Sequence, residues 1–290
     1  MTASSTLPVE VSAKIDVVAN PLLKVGTVTA PATKRPLGAT WSGTLAAAKP
    51  PTIDAIEAVA PETTPGGGFL PLSALGIAPI AGVGDETIVN FDVAPYVYGG
   101  EVYSRIGIVS NGYAVVGGGT QSDVAFEPPA TLPDSAAPNN VLAPFWTDLN
   151  PGGGGSLSAG TLTDGTDTWV VLEWKDVPSW SGEGTNSFQI WILQGSTGGV
   201  WFTYDGQLHE DSASGSLTGA ENRTGTSGVV VDVDPTSAYS VLSSAPEAGG
   251  AVTFDYTLKG LLKGTWSTTA TLSSPAINTY PSEKTPITVK

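Results

Sequence analysis

The chain contains no cysteine, a single histidine (His209) and a single methionine (Met1) in 290 residues. Without cysteine there can be no disulfide, thiolate metal ligand or cysteine nucleophile. One histidine excludes the usual His-rich zinc sites. It also leaves His209 as the only base available to a Ser–His–Asp triad, and the surrounding Gly206-Gln207-Leu208-His209-Glu210-Asp211-Ser212 reads as an exposed acidic turn. Basic residues are few: 12 Lys and Arg against 27 Asp and Glu give a net charge of −15. Such a surface repels phosphate backbones and anionic headgroups, so neither nucleic acid nor a membrane surface is an expected partner. Its ordinary consequence is solubility. No apolar run is long enough to cross a bilayer.

What the chain does have is 36 glycines, 23 prolines and many β-branched residues, with charged residues at only 13%. Helix formers are scarce, and β-branched and aromatic runs bounded by Gly and Pro are what strands and tight turns require. The expected fold class is all-β. The length makes two domains the default and three small ones an alternative. Met1 is followed by Thr-Ala-Ser-Ser-Thr rather than by a basic and apolar signal region, so the chain reads as a segment of a longer precursor.

Three segments emerge along the chain. Residues 1–62 alternate weakly (Val9, Val11, Ala13, Ile15, then 25–29 and 39–45), and Pro61-Glu62-Thr63-Thr64-Pro65-Gly66-Gly67-Gly68 reads as a linker or entry turn. Residues 63–232 carry stronger strand signals at 88–91, 102–109, 113–116, 168–174, 187–193 and 199–204. Ser110-Asn111-Gly112 between two of them predicts a hairpin in which both Asn and Gly take positive φ. Residues 233–290 return to weak alternation (Val252, Phe254, Tyr256, Leu258, then 266–272, Ile287 and Val289). The two flanks share a pattern: Leu22-Leu23-Lys24-Val25-Gly26-Thr27, closing at Ala30-Pro31-Ala32, parallels Leu261-Leu262-Lys263-Gly264-Thr265-Trp266, closing at Ser274-Pro275-Ala276. This parallel predicts related immunoglobulin-like segments on either side of a central sandwich or barrel-like domain.

Candidate site residues are scattered. Six tryptophans fall in the central segment: Trp146, Trp169, Trp174, Trp180, Trp191 and Trp201. Such a set serves either as a carbohydrate-binding face or as core and sheet-edge packing. Trp174, Trp180 and Trp191 are the binding candidates, with Trp180 in the most loop-like context. Asp148 with Asn150, and Asp232 with Asp234, offer the alternating oxygen donors that calcium takes from loops, although Asx turns give the same pattern. Asp148, Glu173 and Asp176 lie near tryptophans, as a glycosidase carboxylate pair would. Gly225-Thr226-Ser227-Gly228 has the outline of a nucleophile loop, and Asn222-Arg223-Thr224 fits the glycosylation sequon. The four glycines at 152–155 lack the Gly-Lys-Ser/Thr of a phosphate cradle and read as a flexible loop. No catalytic constellation is expected.

Two resemblances cover most of the chain. Pro138-Asn139-Asn140-Val141-Leu142-Ala143-Pro144-Phe145-Trp146-Thr147-Asp148-Leu149, then Glu173-Trp174-Lys175-Asp176-Val177-Pro178, then Asn186-Ser187-Phe188-Gln189-Ile190-Trp191-Ile192, and finally Gly219-Ala220-Glu221-Asn222-Arg223-Thr224-Gly225, resemble the nidogen-type extracellular β domain in order and spacing. Phe69-Leu70-Pro71-Leu72, Gly84-Asp85-Glu86-Thr87-Ile88-Val89-Asn90-Phe91 and Ser110-Asn111-Gly112-Tyr113 with Val115-Val116-Gly117-Gly118-Gly119 resemble the C-terminal extension of secreted actinobacterial subtilisin-like serine proteases. The catalytic blocks of those proteases have no counterpart here. The resemblances imply a secreted, non-catalytic region that aids folding, positioning or targeting. Its partner would be the catalytic domain of a parent protease, or a cell-surface protein or polysaccharide. The alternative is a stand-alone adhesion or carbohydrate-binding module.

Overall fold

A computed structural model describes residues 1–4, 10–247, 249–275 and 283–290. Val9 and Ala276, two positions of the strand and repeat patterns above, lie outside them. The chain is all-β, with three short 3₁₀ turns and no α-helix among the described residues. It divides into two units, 51–246 and a second built from 1–50 together with 247–290.

In chain order the strands are β1 (Thr2–Ser4), β2 (Val11–Ala19), β3 (Leu23–Val28), β4 (Thr33–Arg35) and β5 (Gly38–Leu45) of the outer unit. The central unit follows with β6 (Thr52–Val59), β7 (Ile88–Tyr98), β8 (Glu101–Val109), β9 (Tyr113–Val116), β10 (Val141–Trp146), β11 (Ser156–Thr163) and β12 (Thr168–Pro178). It continues with β13 (Thr185–Leu193), β14 (Val200–Tyr204), β15 (Leu217–Glu221), β16 (Gly228–Val231) and β17 (Ala238–Ser244). The outer unit closes with β18 (Ala251–Thr253), β19 (Tyr256–Gly260), β20 (Gly264–Ser273) and β21 (Glu283–Val289).

The central unit is a sandwich of two six-stranded antiparallel sheets, ordered β16-β15-β10-β9-β8-β7 and β11-β12-β13-β14-β17-β6. Its core is filled by alternate residues of facing strands: Ile106 and Ile108, Ala114 and Val116, Val170, Leu172 and Trp174, Phe188, Ile190 and Ile192. The intervening residues are buried as well. Trp169, Val171 and Trp191 point away from that core and are covered by Leu70, Leu72 and Ile77. On the other sheet Tyr113, Val115, Val141, Ala143 and Trp146 are covered by Val124, Ala125 and Leu132. The inner strands β10, β12 and β13 are thus buried on both faces, which is why they read as near-continuous apolar runs rather than clean alternation.

Expected and observed boundaries differ at both ends of the central unit. Residues 51–62 and 233–246 belong to it, not to the flanks, because β6 and β17 pair with each other and β17 pairs with β14. The flanks themselves form one unit. Its five-stranded sheet runs β21-β20-β2-β5-β4, joined by the ribbons β19-β3 and β1-β18. In β2 the alternation is strict, with Val11, Ala13, Ile15, Val17 and Ala19 buried. The two Leu-Leu-Lys stretches meet, Leu261 N–H donating to Leu22 O at 2.9 Å. They are not equivalent in packing, however: Leu23 is buried while Leu261 and Leu262 are exposed.

Candidate functional site

The loop of the β8–β9 hairpin organises the polar chemistry nearby. Val109 pairs with Tyr113, so the loop has three residues. Only Gly112 takes positive φ (82°), and a Cβ there would strike Phe145 O. Asn111 departs from the expected positive φ. Its side chain is fully buried and acts as a hub, Nδ2 donating to Glu86 Oε2 (3.2 Å) and Ala125 O (3.3 Å) while Oδ1 accepts from Leu149 N–H (3.2 Å).

That hub brings Asp148 next to Asp85 and Glu86, whose carboxylate oxygens all lie within 4.8 Å of one another. Asp85 is exposed, and Glu86 and Asp148 are half-buried. Asp148 Oδ1 is shielded from solvent and accepts no hydrogen bond among the described residues. Burial, with repulsion from Glu86, Asp85 and Asp211, pushes its carboxyl up to about 6. Burial likewise raises Glu86, against the opposing Asn111 hydrogen bond. Nearby Asp211 goes the other way: burial alone would raise it, but N–H donors of Ser181, Ala213 and Ser214 hold it below the usual carboxylate range.

The other calcium candidates are turns. Asn150 Oδ1 accepts from Gly153 N–H at 3.1 Å, and Asp234 Oδ1 accepts from Thr236 N–H (2.9 Å) and Oγ1 (2.7 Å). Asn150, Asp232 and Asp234 are absent from the Asp148 carboxylate group, whose partners Asp85 and Glu86 come from a distant stretch of sequence. Two of the three tryptophan candidates are corrected outright. Trp174 and Trp191 are core residues, 0% and 2% exposed, because β12 and β13 are covered on both faces. Trp180 is 56% exposed, as its loop context predicts.

The other catalytic candidates are engaged with neighbouring groups. Glu173 lies buried beneath the 66–77 segment, accepting from Leu72 N–H (2.9 Å) and Gln189 Nε2 (2.7 Å). Burial raises its carboxyl, and those two donors pull the other way. Asp176 sits at φ 53° in an exposed irregularity of β12, bridged to Lys175. Ser227 Oγ clips β6, accepting from Ile53 N–H (2.9 Å) and donating to Ile53 O (3.4 Å). The sequon residue Asn222 is buried, its Nδ2 spent on Pro51 O and Thr226 Oγ1. His209 is half-buried rather than exposed. Its backbone is paired with Asn186, and its ring lies against Gly184.

Sequence patterns gave no sign of a groove of about 990 Å³ in the central unit. Its floor is the outer face of β14 and β17, where Trp201 stands opposite Ser240. One wall is the β7–β8 hairpin with Val97 opposite Val102, and the other is the 195–199 connection. Gly195 N–H donates to Pro95 O at 2.7 Å and Tyr96 bridges Gln194, which ties the two walls together. No residue lining the groove carries a charge. Glycine at 199 is required twice over: its φ is 151°, and a Cβ would come within 2.6 Å of the Trp201 ring.

A family model described as NIDO related matches residues 81–256. No curated protein and no solved structure matches the chain. The matched stretch runs from ahead of β7 through β18, and so takes in every strand of the sandwich except β6, together with the Asn111 hub and the uncharged groove. Covering more than half of the sequence, the match establishes that the chain belongs to the NIDO-related family.

Proposed function

We propose that the chain is a non-catalytic binding region of a larger secreted protein, and that the larger protein is a subtilisin-like serine protease. The observation that carries this reading is the use made of the reactive side chains. Glu173, Ser227 and Asn222 have their polar atoms occupied by backbone and amide partners within the sandwich. The nidogen-like blocks and the Phe69–Leu72 and 110–119 stretches likewise serve the packing of the two sheets. The protease link rests on the residue blocks at 69–72, 84–91 and 110–119. In this role the chain would aid the folding, positioning or targeting of the catalytic domain.

Two measurements test the proposal. The isolated chain should leave casein intact, and cleavage abolished by a serine-directed inhibitor would refute it. The native reading frame should encode a secretion signal and the Asp, His and Ser blocks of a subtilisin-like domain on the same polypeptide; other β modules in their place would refute the protease link. A second reading, an extracellular carbohydrate-binding module, is favoured by the uncharged groove over Trp201.

A further inference from the structure

The groove beside Trp201 has the attributes of a ligand site. Its size falls in the range of small-ligand pockets, roughly 300–1,000 Å³. In a chain with a net charge of −15, a lining without a single charged side chain is selective in itself. It offers a cation no partner and an anion no counter-charge, and binding an ion there would strip its hydration without compensation. What the groove does offer is neutral. The hydroxyls of Ser196, Thr197 and Ser240 and the indole N–H of Trp201 make no hydrogen bond to other described residues. The half-buried Trp201 ring supplies an apolar surface, with the exposed side chains of Val102 and Leu242 at the rim.

An aromatic plate surrounded by unspent neutral donors and acceptors matches a sugar, which presents C–H faces and hydroxyl edges together. We infer that this groove binds a segment of an uncharged polysaccharide, with Trp201 beneath a sugar ring and Ser196, Thr197 and Ser240 meeting its hydroxyls. The inference rests on the reading of the chain as a binding region and names that region's ligand. The observed wall contacts between Gly195 and Pro95, and between Gln194 and Tyr96, keep the groove formed without ligand, which limits the ordering cost of binding.

The test uses the full chain and neutral hexasaccharides (cellohexaose, mannohexaose and maltohexaose), with hexagalacturonate as the charged control. Binding is read by tryptophan fluorescence and by the indole N–H resonances in NMR. At least one neutral probe should bind saturably and shift the Trp201 indole, and hexagalacturonate should not. Trp201→Ala should weaken binding about tenfold or more, the scale of a truncated aromatic anchor. Trp180→Ala should leave it unchanged. Because Trp201 also packs on its neighbours, Val102→Glu serves as the second variant. Position 102 is 69% exposed, so the fold should persist while a charge enters the groove. Saturable binding that survives Val102→Glu, or that is lost on Trp180→Ala, would overturn the groove assignment and leave the wider binding reading standing. Absence of binding by every neutral probe would overturn the assignment too, as would a Trp201 shift produced only by an uncharged peptide. None of these outcomes bears on casein cleavage or on the native reading frame, so the two proposals fail separately.

Discussion

Glu221 closes β15 with no solvent exposure, and its carboxyl can be replaced by an amide of nearly the same shape. Oε2 accepts the N–H of Asp134, while Oε1 has no partner among the described residues. Burial pushes this carboxyl up to about 7 from 4.5, with the Asp134 N–H acting in the opposite direction. The folded chain therefore holds a proton that the unfolded chain releases near pH 4.5. Stability contributed by this protonated form is complete below that value and falls as pH rises through 7. At about 1.4 kcal/mol per pH unit over that interval, the loss is roughly 3 kcal/mol.

Glu221→Gln keeps an oxygen for Asp134 N–H and has no proton to lose. The variant should match the parent below pH 4.5 and exceed it increasingly up to pH 8. For a unit of this size, 3 kcal/mol corresponds to a rise of about 6–12 °C in the central unit's melting temperature relative to the parent. The assay is calorimetry of both proteins at pH 4.5, 6 and 8. The comparison cancels every other titrating group, Asp148 included. Parallel pH profiles for parent and variant would refute the reasoning, because they would mean that Glu221 ionises in the folded state as readily as in the unfolded one.

The Asp85–Glu86–Asp148 group gives a related expectation: Asp148→Asn should stabilise the chain at pH 7 by about 1 kcal/mol after discounting for partial exposure, with no gain below about pH 3, where the carboxyl is protonated in both states. With calcium seated on that group, chelation at pH 7 should lower the melting temperature by several degrees, and an unchanged melt would assign the three carboxylates no cation. Gly112→Ala should destabilise the central unit by about 2 kcal/mol or more, since it sets a Cβ at φ 82° against Phe145 O; denaturant unfolding measures it. Trp174→Ala should cost about 3–5 kcal/mol in the same assay, against less than about 0.5 kcal/mol for Trp180→Ala.

The all-β class and most central strands were legible because Val, Ile, Thr and aromatic runs are bounded by Gly and Pro throughout. Boundaries were not. The segments at 52–59 and 238–244 alternate as weakly as the outer strands, and only their mutual pairing shows that they complete a sheet of the central unit. Asn111 misled for a different reason. An Asn-Gly pair between apolar runs signals a turn, but nothing local reveals that the Asn side chain is buried against Glu86, Ala125 and Leu149. The Trp174 and Trp191 candidates failed because alternation indicates which residues share a face, not what covers it: Trp174 faces the opposite sheet, and the 66–77 segment covers Trp191.

The residues that carry the nidogen resemblance turn out to be joints. Asn140, at φ 60°, donates through Nδ2 to Val116 O, and Pro144 O accepts from both Tyr204 Oη and Thr218 Oγ1. Trp174 Nε1 reaches Val109 O across the sandwich, and Tyr98 Oη reaches Glu221 O. Each spends a buried polar group on a backbone carbonyl that β pairing leaves short of a donor, so substitution would leave an unsatisfied group inside. Motifs of this kind identify a fold well and a ligand poorly. The groove over Trp201 has the opposite character: its glycines, serines and one tryptophan come from three separate stretches and form no contiguous motif. A shared scaffold with a site assembled from loops and strand faces leaves the site free to change without disturbing the joints. Ligand specificity in this chain should therefore track residues 195–201 and 240–245 rather than the blocks that define the fold.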